Sequence, residues 1–293
     1  MKIGLGTVQF GMPYGVSNTM GMTGEDEVRR ILDYAALQGI RMLDTAASYG
    51  ESEKVLGRLL PAGTSFQVVT KTAPVKSDCV DDQAVASIGQ IFERSLDNLH
   101  RDSVYGLLVH QAKELMKQGG ERLASWLMEQ KSSGKTAKVG ASVYDRETLD
   151  MILENYAIDL VQVPLNILDQ RLLADGYLSE LKAAGIEIHV RSAFLQGLLL
   201  MHPEEMPPYF SGIKGHMVKL RNFMDEQGFS SIEAAIGFVS SIKEVDSVIC
   251  GVNTLAQLEE IVACSGTEVS AELCQRFAIT DKEIIDPSQW RFA

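Results

Sequence analysis

Four side chains in this sequence combine types and positions suited to proton chemistry: Asp44, Tyr49, Lys71 and His110. A carboxylate, a phenol, an ammonium and an imidazole are groups that proteins use to give and take protons. Asp44 closes the run RMLD, Lys71 closes FQVVTK and His110 closes YGLLVH, while Tyr49 follows in DTAASYGESE. Singly, each has an ordinary reading. An aspartate at a strand end caps the next loop, a lysine there is solvated, and a histidine is a satisfied core residue. Together they weigh differently. The three runs read as neighbouring strands, which lie about 4.8 Å apart, so the four side chains can meet.

The elements that position them alternate along the whole chain. Short apolar runs predict strands at Ile3–Val8, Arg41–Asp44, Phe66–Lys71, Val104–His110, Ala137–Val143, Leu160–Pro164, Ile186–Arg191 and Ser247–Cys250. Helical spacing predicts helices at Glu25–Gln38, Glu51–Leu60, Val80–Leu99, Glu121–Ser133, Arg146–Tyr156, Gln170–Ala184, Met217–Gln227, Ile232–Ser241 and Thr254–Cys264. Thr23 or Gly24 sits at the first helix's N-cap, Gly39 ends that helix, and Pro61 stops the second. Eight strand–helix pairs point to an α/β fold closed as a (β/α)8 TIM barrel. VYGLLV and SVIC are continuous apolar runs, as parallel strands covered on both faces require. An open doubly wound sheet would want GxGxxG after its first strand, and GLGTVQFG lacks it. Residues 1–293 therefore read as one domain, with a functional loop at about 192–215 carrying three prolines and a C-terminal tail from about 266.

Bulk properties exclude several classes. The net charge of −12 and the lack of a dense basic run argue against nucleic acid and anionic membranes. The four cysteines, Cys79, Cys250, Cys264 and Cys274, form no CxxC and read as reduced, mostly buried thiols. No His/Cys/Asp cluster has ligand spacing, so no metal is expected. The opening MKIGLGTVQFG has no basic region ahead of a long apolar run, and no stretch has the ~18 apolar residues of a membrane span. The expectation is a cytoplasmic protein.

With these residues in view, the sequence resembles the aldo-keto reductases over essentially its whole length. LDTAASYGESEKVLGRLL resembles that family's second strand and the turn after it, VVTK its lysine and LLVHQ its histidine. GLGTVQFG resembles the opening strand, VGASVYD the fifth, and SAFLQGLLL the segment after the seventh. The resemblance implies reduction of an aldehyde, a ketone or an open-chain sugar by a nicotinamide cofactor, on a small-molecule carbonyl substrate and as a monomer. It implies that Tyr49 is the general acid, that Lys71 lowers the phenol's pKa, that Asp44 holds Lys71 charged, and that His110 orients the carbonyl oxygen.

The cofactor residues it implies are Ser142 and Gln162 at the carboxamide, Arg191 over the nicotinamide face, and Ser192, Leu195 and Gly197 near the pyrophosphate. Gly251 and Asn253 fall in the turn after the last strand, where a helix N-terminus favours phosphate. Val143 stands where the family often has Asn, and Asn253 where it often has the cation that grips the 2′-phosphate. NADP(H) is the family's default. Since no basic residue lies between Gly251 and Val262, NAD(H) is the alternative. Two other functions compete: a lyase forming a Schiff base on Lys71, and a non-catalytic nicotinamide-binding regulatory subunit. Tyr14 in the loop Gly11–Gly24 borders the expected substrate mouth, whereas Phe10, Tyr209, Phe210 and Trp290 read as either pocket or packing, with packing favoured.

Overall fold

The computed structural model describes residues 2–60, 65–173 and 176–291. Eight parallel strands close into a barrel in sequence order. They are β1 Ile3–Gly6, β2 Met42–Asp44, β3 Gln67–Lys71, β4 Val104–Val109, β5 Thr136–Ser142, β6 Leu160–Pro164, β7 Glu187–Arg191 and β8 Ser247–Gly251. Among the described residues, nine helices of seven or more residues surround them: α1 Glu25–Leu37, α2 Ser52–Leu59, α3 Asp82–Leu99, α4 Gly120–Ser132, α5 Arg146–Asn155, α6 Tyr177–Ala183, α7 Lys214–Glu226, α8 Ser231–Ser241 and α9 Leu255–Ala263. This is the (β/α)8 architecture expected from the alternation.

The two-residue period of a strand decides what faces where. Leu43, Val68, Leu107, Val109, Val161, Val163, Val190 and Val248 belong to the large core cluster that also holds the helices' apolar faces. The alternate residues Met42, Val69, Leu108, Leu160 and Ile249 form a separate small cluster inside the barrel. Continuing that inward set two residues onward gives Asp44, Lys71, His110, Gln162 and Gly251. The same parity on β5 and β7 gives Ser142 and Arg191. Register keeps these ends level, with Gly6 beside both Asp44 and Gly251, Ser142 beside Gln162, and Pro164 beside Arg191.

The helices follow local signals. In α1 the residues Val28, Ile31, Leu32 and Ala35 are buried at three- and four-residue steps. Gly24 is its N-cap and gives no side-chain bond. Asp81 caps α3 by accepting from the Ala84 N–H. Ser230 with Glu233 caps α8, and Thr254 with Gln257 caps α9, each as a reciprocal capping box.

Several expected boundaries move. The first strand ends at Gly6, because Val8–Gly11 winds into a single helical turn. The helix after β7 begins at Lys214, three residues before Met217. The sixth helix runs Tyr177–Ala183, and residues 174–175 of its expected span lie outside the described residues, as does Pro61. The stretch after β7 is not featureless: it folds as 3₁₀ segments Leu195–Leu200, Pro203–Glu205 and Pro208–Ile213. The tail continues with short helical segments, and Trp290 packs edge-on against Phe210 at 4.9 Å. Phe10 and Phe210 are fully buried, so packing is their role. Among the described residues no helix is long and apolar enough to cross a membrane.

Candidate active site

Tyr49 rides on the turn between β2 and α2, and close packing fixes that turn. The backbone of Gly11 passes so near that a Cβ there would meet the Tyr49 carbonyl oxygen at 1.9 Å and the Ser52 nitrogen at 2.3 Å. Glu51 N–H donates to the Gly11 carbonyl. Beneath the turn, the Thr7 hydroxyl donates to the Asp44 carbonyl at 2.9 Å, and the Ser52 hydroxyl to the Thr7 carbonyl at 2.8 Å. The Thr45 hydroxyl donates to Ser52 Oγ at 3.1 Å. These buried hydroxyls tie β1, β2 and the start of α2 together.

At the barrel mouth, Lys71 Nζ donates to Asp44 Oδ1 at 2.7 Å, to Asp44 Oδ2 at 2.6 Å and to the Thr45 carbonyl at 3.0 Å. Three N–H bonds are thus engaged by three acceptors. The Tyr49 hydroxyl lies further out, 3.5 Å from the same nitrogen. Lys71 is 1% exposed and Asp44 4%. The Tyr49 and His110 rings meet edge-on at 5.7 Å. His110 Nδ1 shares a hydrogen bond with the Ser48 hydroxyl at 3.1 Å. The structure therefore brings all four residues into one cluster.

The electrostatics of this cluster differ in one respect from what the resemblance implies. Burial pushes the Tyr49 phenol above its usual value, and the Asp44 charge pushes it further the same way. Arg191 nearby pulls it the other way without reversing the shift, and Lys71 is itself held below its ordinary pKa by burial. The phenol is a neutral O–H donor. Burial, with Lys71 and Arg191 nearby, lowers His110 to about 4, so its imidazole is neutral as well near pH 7.

A cavity of about 410 Å³ opens over this cluster. Its wall runs from Asp44, Tyr49 and His110 past Ser142, Gln162 and Arg191 to Ser192 and Gly197, and then to Gly251 and Asn253. Arg191 lies 4.0 Å over the Tyr144 ring and donates to Ser142 Oγ and Ser192 Oγ at 3.3 Å. Its Nη2 has no partner, nor has the buried Gln9 Oε1. Gln9 sits against Gly251, where a Cβ would meet its side chain at 2.6 Å. Two unsatisfied buried polar atoms on residues lining one cavity fit a polar ligand.

The chain matches the model of the aldo/keto reductase family over residues 2–281. It belongs to that family. A curated relative, L-galactose dehydrogenase of Arabidopsis thaliana, is 26% identical over 286 residues, covering 93% of this chain and 88% of its own. An aldo-keto reductase from Bacillus halodurans in its holo form superposes with a TM-score of 0.77 at 20% identity, covering 99% of this chain and 95% of its own. Glycerol dehydrogenase of Gluconobacter oxydans gives a TM-score of 0.70 at 21% identity, over 94% and 90% of the two chains.

For an aldo/keto reductase, the implied cofactor residues fall unevenly. Ser142, Gln162, Arg191, Ser192, Gly197, Gly251 and Asn253 line the cavity. Leu195 does not: its side chain is fully buried in the core, and its neighbours Phe194 and Gln196 face the cavity instead. An apolar side chain gains more by joining the core than by bordering a polar groove. Ser192, Leu195, Gln196 and Gly197 all have positive φ, which turns this segment sharply.

Sequence reasoning missed Gln9, Ser48, Tyr144 and Gln196. Ser48 and Tyr144 each adjoin a residue that was singled out, Tyr49 and Val143. Gln9 carried no signal, because its aim depends on the helical turn Val8–Gly11. The loop Gly11–Gly24 also spans the cavity: Val16 N–H donates to the Gln196 carbonyl at 3.0 Å, and Asn253 Nδ2 to the Gly21 carbonyl at 3.1 Å.

Proposed function

We propose that this aldo/keto reductase interconverts a carbonyl compound and its alcohol with a nicotinamide dinucleotide, Tyr49 delivering the proton in the reducing direction. The observation that carries this reading is the cluster itself: a neutral phenol 3.5 Å from a buried, ion-paired lysine, beside a cavity lined by residues with unsatisfied polar atoms.

The dinucleotide, when bound, supplies or takes up hydride at the substrate carbon. Ser142 and Gln162 would hold its carboxamide and Arg191 its nicotinamide end. Ser192, Gln196, Gly197, Gly251 and Asn253 would hold the rest of it. Tyr49 gives its O–H proton to the carbonyl oxygen. Asp44 keeps Lys71 in place, and Lys71 offers the nearest positive charge to the oxygen that loses that proton. Neutral His110 donates a hydrogen bond to the same carbonyl oxygen and fixes its direction. Such acid help contributes about 10²–10⁴ in rate, with alignment of the reacting atoms adding more.

The substrate is an aldehyde, a ketone or an open-chain sugar. Hydroxyls of Tyr14, Tyr144 and Ser48 near the mouth favour the polyhydroxylated class, in keeping with the sugar and polyol named for two relatives. The Schiff-base alternative is disfavoured by Lys71, whose nitrogen is buried and triply bonded behind the phenol. Turnover of carbonyl and sugar panels with NADH and NADPH in parallel tests the proposal. Cofactor binding without turnover of any compound would instead support a regulatory subunit.

A further inference from the structure

We propose that this chain takes NAD(H) in preference to NADP(H), because the seat for a 2′-phosphate is filled by its own carboxylate, Glu27. The inference rests on the reading above that the cavity holds a nicotinamide dinucleotide.

The cavity ends against the β8–α9 turn, with Asn253, Gln257, Glu260 and Ile261 in its wall. A helix N-terminus is a natural anion seat, since its first N–H groups lack intrahelical partners. In this chain the first and third of those groups are engaged, as are the two N–H groups just before the helix. Leu255 N–H donates to Glu27 Oε1 at 2.6 Å. Asn253 N–H and Thr254 N–H donate to Gln257 Oε1 at 2.7 and 3.3 Å, and Gln257 N–H to Thr254 Oγ1 at 3.3 Å. Glu27 comes from α1 and is only partly exposed, so the positive end of α9 already holds an anion.

A 2′-phosphate would arrive beside this carboxylate and that of Glu260. Among the described residues no unpaired cation stands beside them. Among the described residues lining the cavity the only Lys or Arg is Arg191, which lies over Tyr144 at the strand-seven end. Arg30, beside Glu27, is paired to Glu27 Oε2 at 2.7 Å. The Asn253 amide is tied to the Gly21 carbonyl and the Thr23 hydroxyl. A ribose 2′-hydroxyl, in contrast, is a donor that a carboxylate or amide oxygen can accept. The family default of NADP(H) gives way here on charge and on occupied amides.

The test is binding, not turnover. The purified full-length chain is titrated with NADH and with NADPH, and separately with ADP and its 2′-phosphorylated form, by calorimetry. NADH is expected to bind at least about tenfold more tightly than NADPH, and ADP likewise against its phosphorylated form. Glu27→Gln keeps an acceptor for Leu255 N–H while removing the charge, and Asn253→Arg adds a cation. Each is expected to narrow the NADH/NADPH ratio by about tenfold or more. Equal or tighter NADPH binding by the wild-type chain overturns this inference and leaves the proposed activity standing. Failure of both dinucleotides to bind overturns both.

Discussion

The side-chain amide of Gln162 donates to Asp44 Oδ1 at 2.7 Å, joining β6 to β2 across the barrel mouth. The same oxygen accepts from Lys71. Asp44 therefore satisfies two groups at once: the buried ammonium behind the phenol, and the amide that orients the proposed carboxamide site. A single carboxylate sets the geometry at both ends of the proposed hydride path.

Breaking that relationship has a stability cost. Asp44→Asn leaves Lys71 buried without its counter-charge, and removing one partner of a buried pair costs about 3–5 kcal/mol. Urea denaturation of the variant is expected to fall by that amount. A change under about 1 kcal/mol would mean that Lys71 is already neutral in the folded chain.

Tyr49→Phe removes the proposed proton donor while keeping the ring against His110. The expected result is a loss of about 10²–10⁴ in kcat with dinucleotide affinity nearly unchanged. Parallel loss of binding would place the hydroxyl in the cofactor site instead.

The raised phenol sets the sign of the pH response. A donor whose pKa lies above its ordinary value of about 10 stays protonated through the neutral and mildly alkaline range. Carbonyl reduction is expected to stay level from about pH 7 to about pH 9, while alcohol oxidation climbs, because it needs the scarce base form. A reduction rate already falling near pH 8 would show that Lys71 lowers the phenol after all.

His110 gives the chain an acid sensitivity. Its folded value is lowered to about 4, below the unfolded value of about 6.5. Above about 6.5 both states are neutral there and no penalty exists. As pH falls from about 6.5 toward about 4 the unfolded state takes up the proton first, so stability is lost across that window and levels off below it. His110→Gln is expected to flatten this part of the stability–pH curve; an unchanged slope would assign the effect to another group.

Gly11→Ala tests the support of the phenol from a distance. Its new Cβ would strike the Tyr49 carbonyl, which is backbone and cannot swing away. Turnover is expected to drop at least about tenfold, with a lowered melting temperature. Wild-type behaviour would mean that the turn can shift without moving the hydroxyl.

Much of this architecture was legible in the residues. Strand ends carrying Asp44, Lys71 and His110 were readable because apolar runs stop abruptly at a charged or imidazole side chain. What local pattern could not show was direction. Leu195 sits in a segment rightly placed beside the cavity, yet its side chain turns inward, because the positive-φ residues there, Ser192, Leu195, Gln196 and Gly197, have no periodic signature. The engagement of α9's first N–H, that of Leu255, by Glu27 was equally hidden, since the two residues lie 228 positions apart. The upward shift of the phenol depends on burial and on the nearby Asp44 charge, which spacing does not encode.

The alternation that aims one strand residue into the barrel and the next into the helical layer makes this rim intolerant of slippage. One extra residue before Lys71 would turn its ammonium outward toward α2 and bring Thr70, now bonded to Glu53, to the mouth. Side chains at the rim can be exchanged where they stand, and loops between strands can lengthen. Frame-shifts of pairing cannot be absorbed, so any diversification of this chain's chemistry must proceed by replacement at fixed posts.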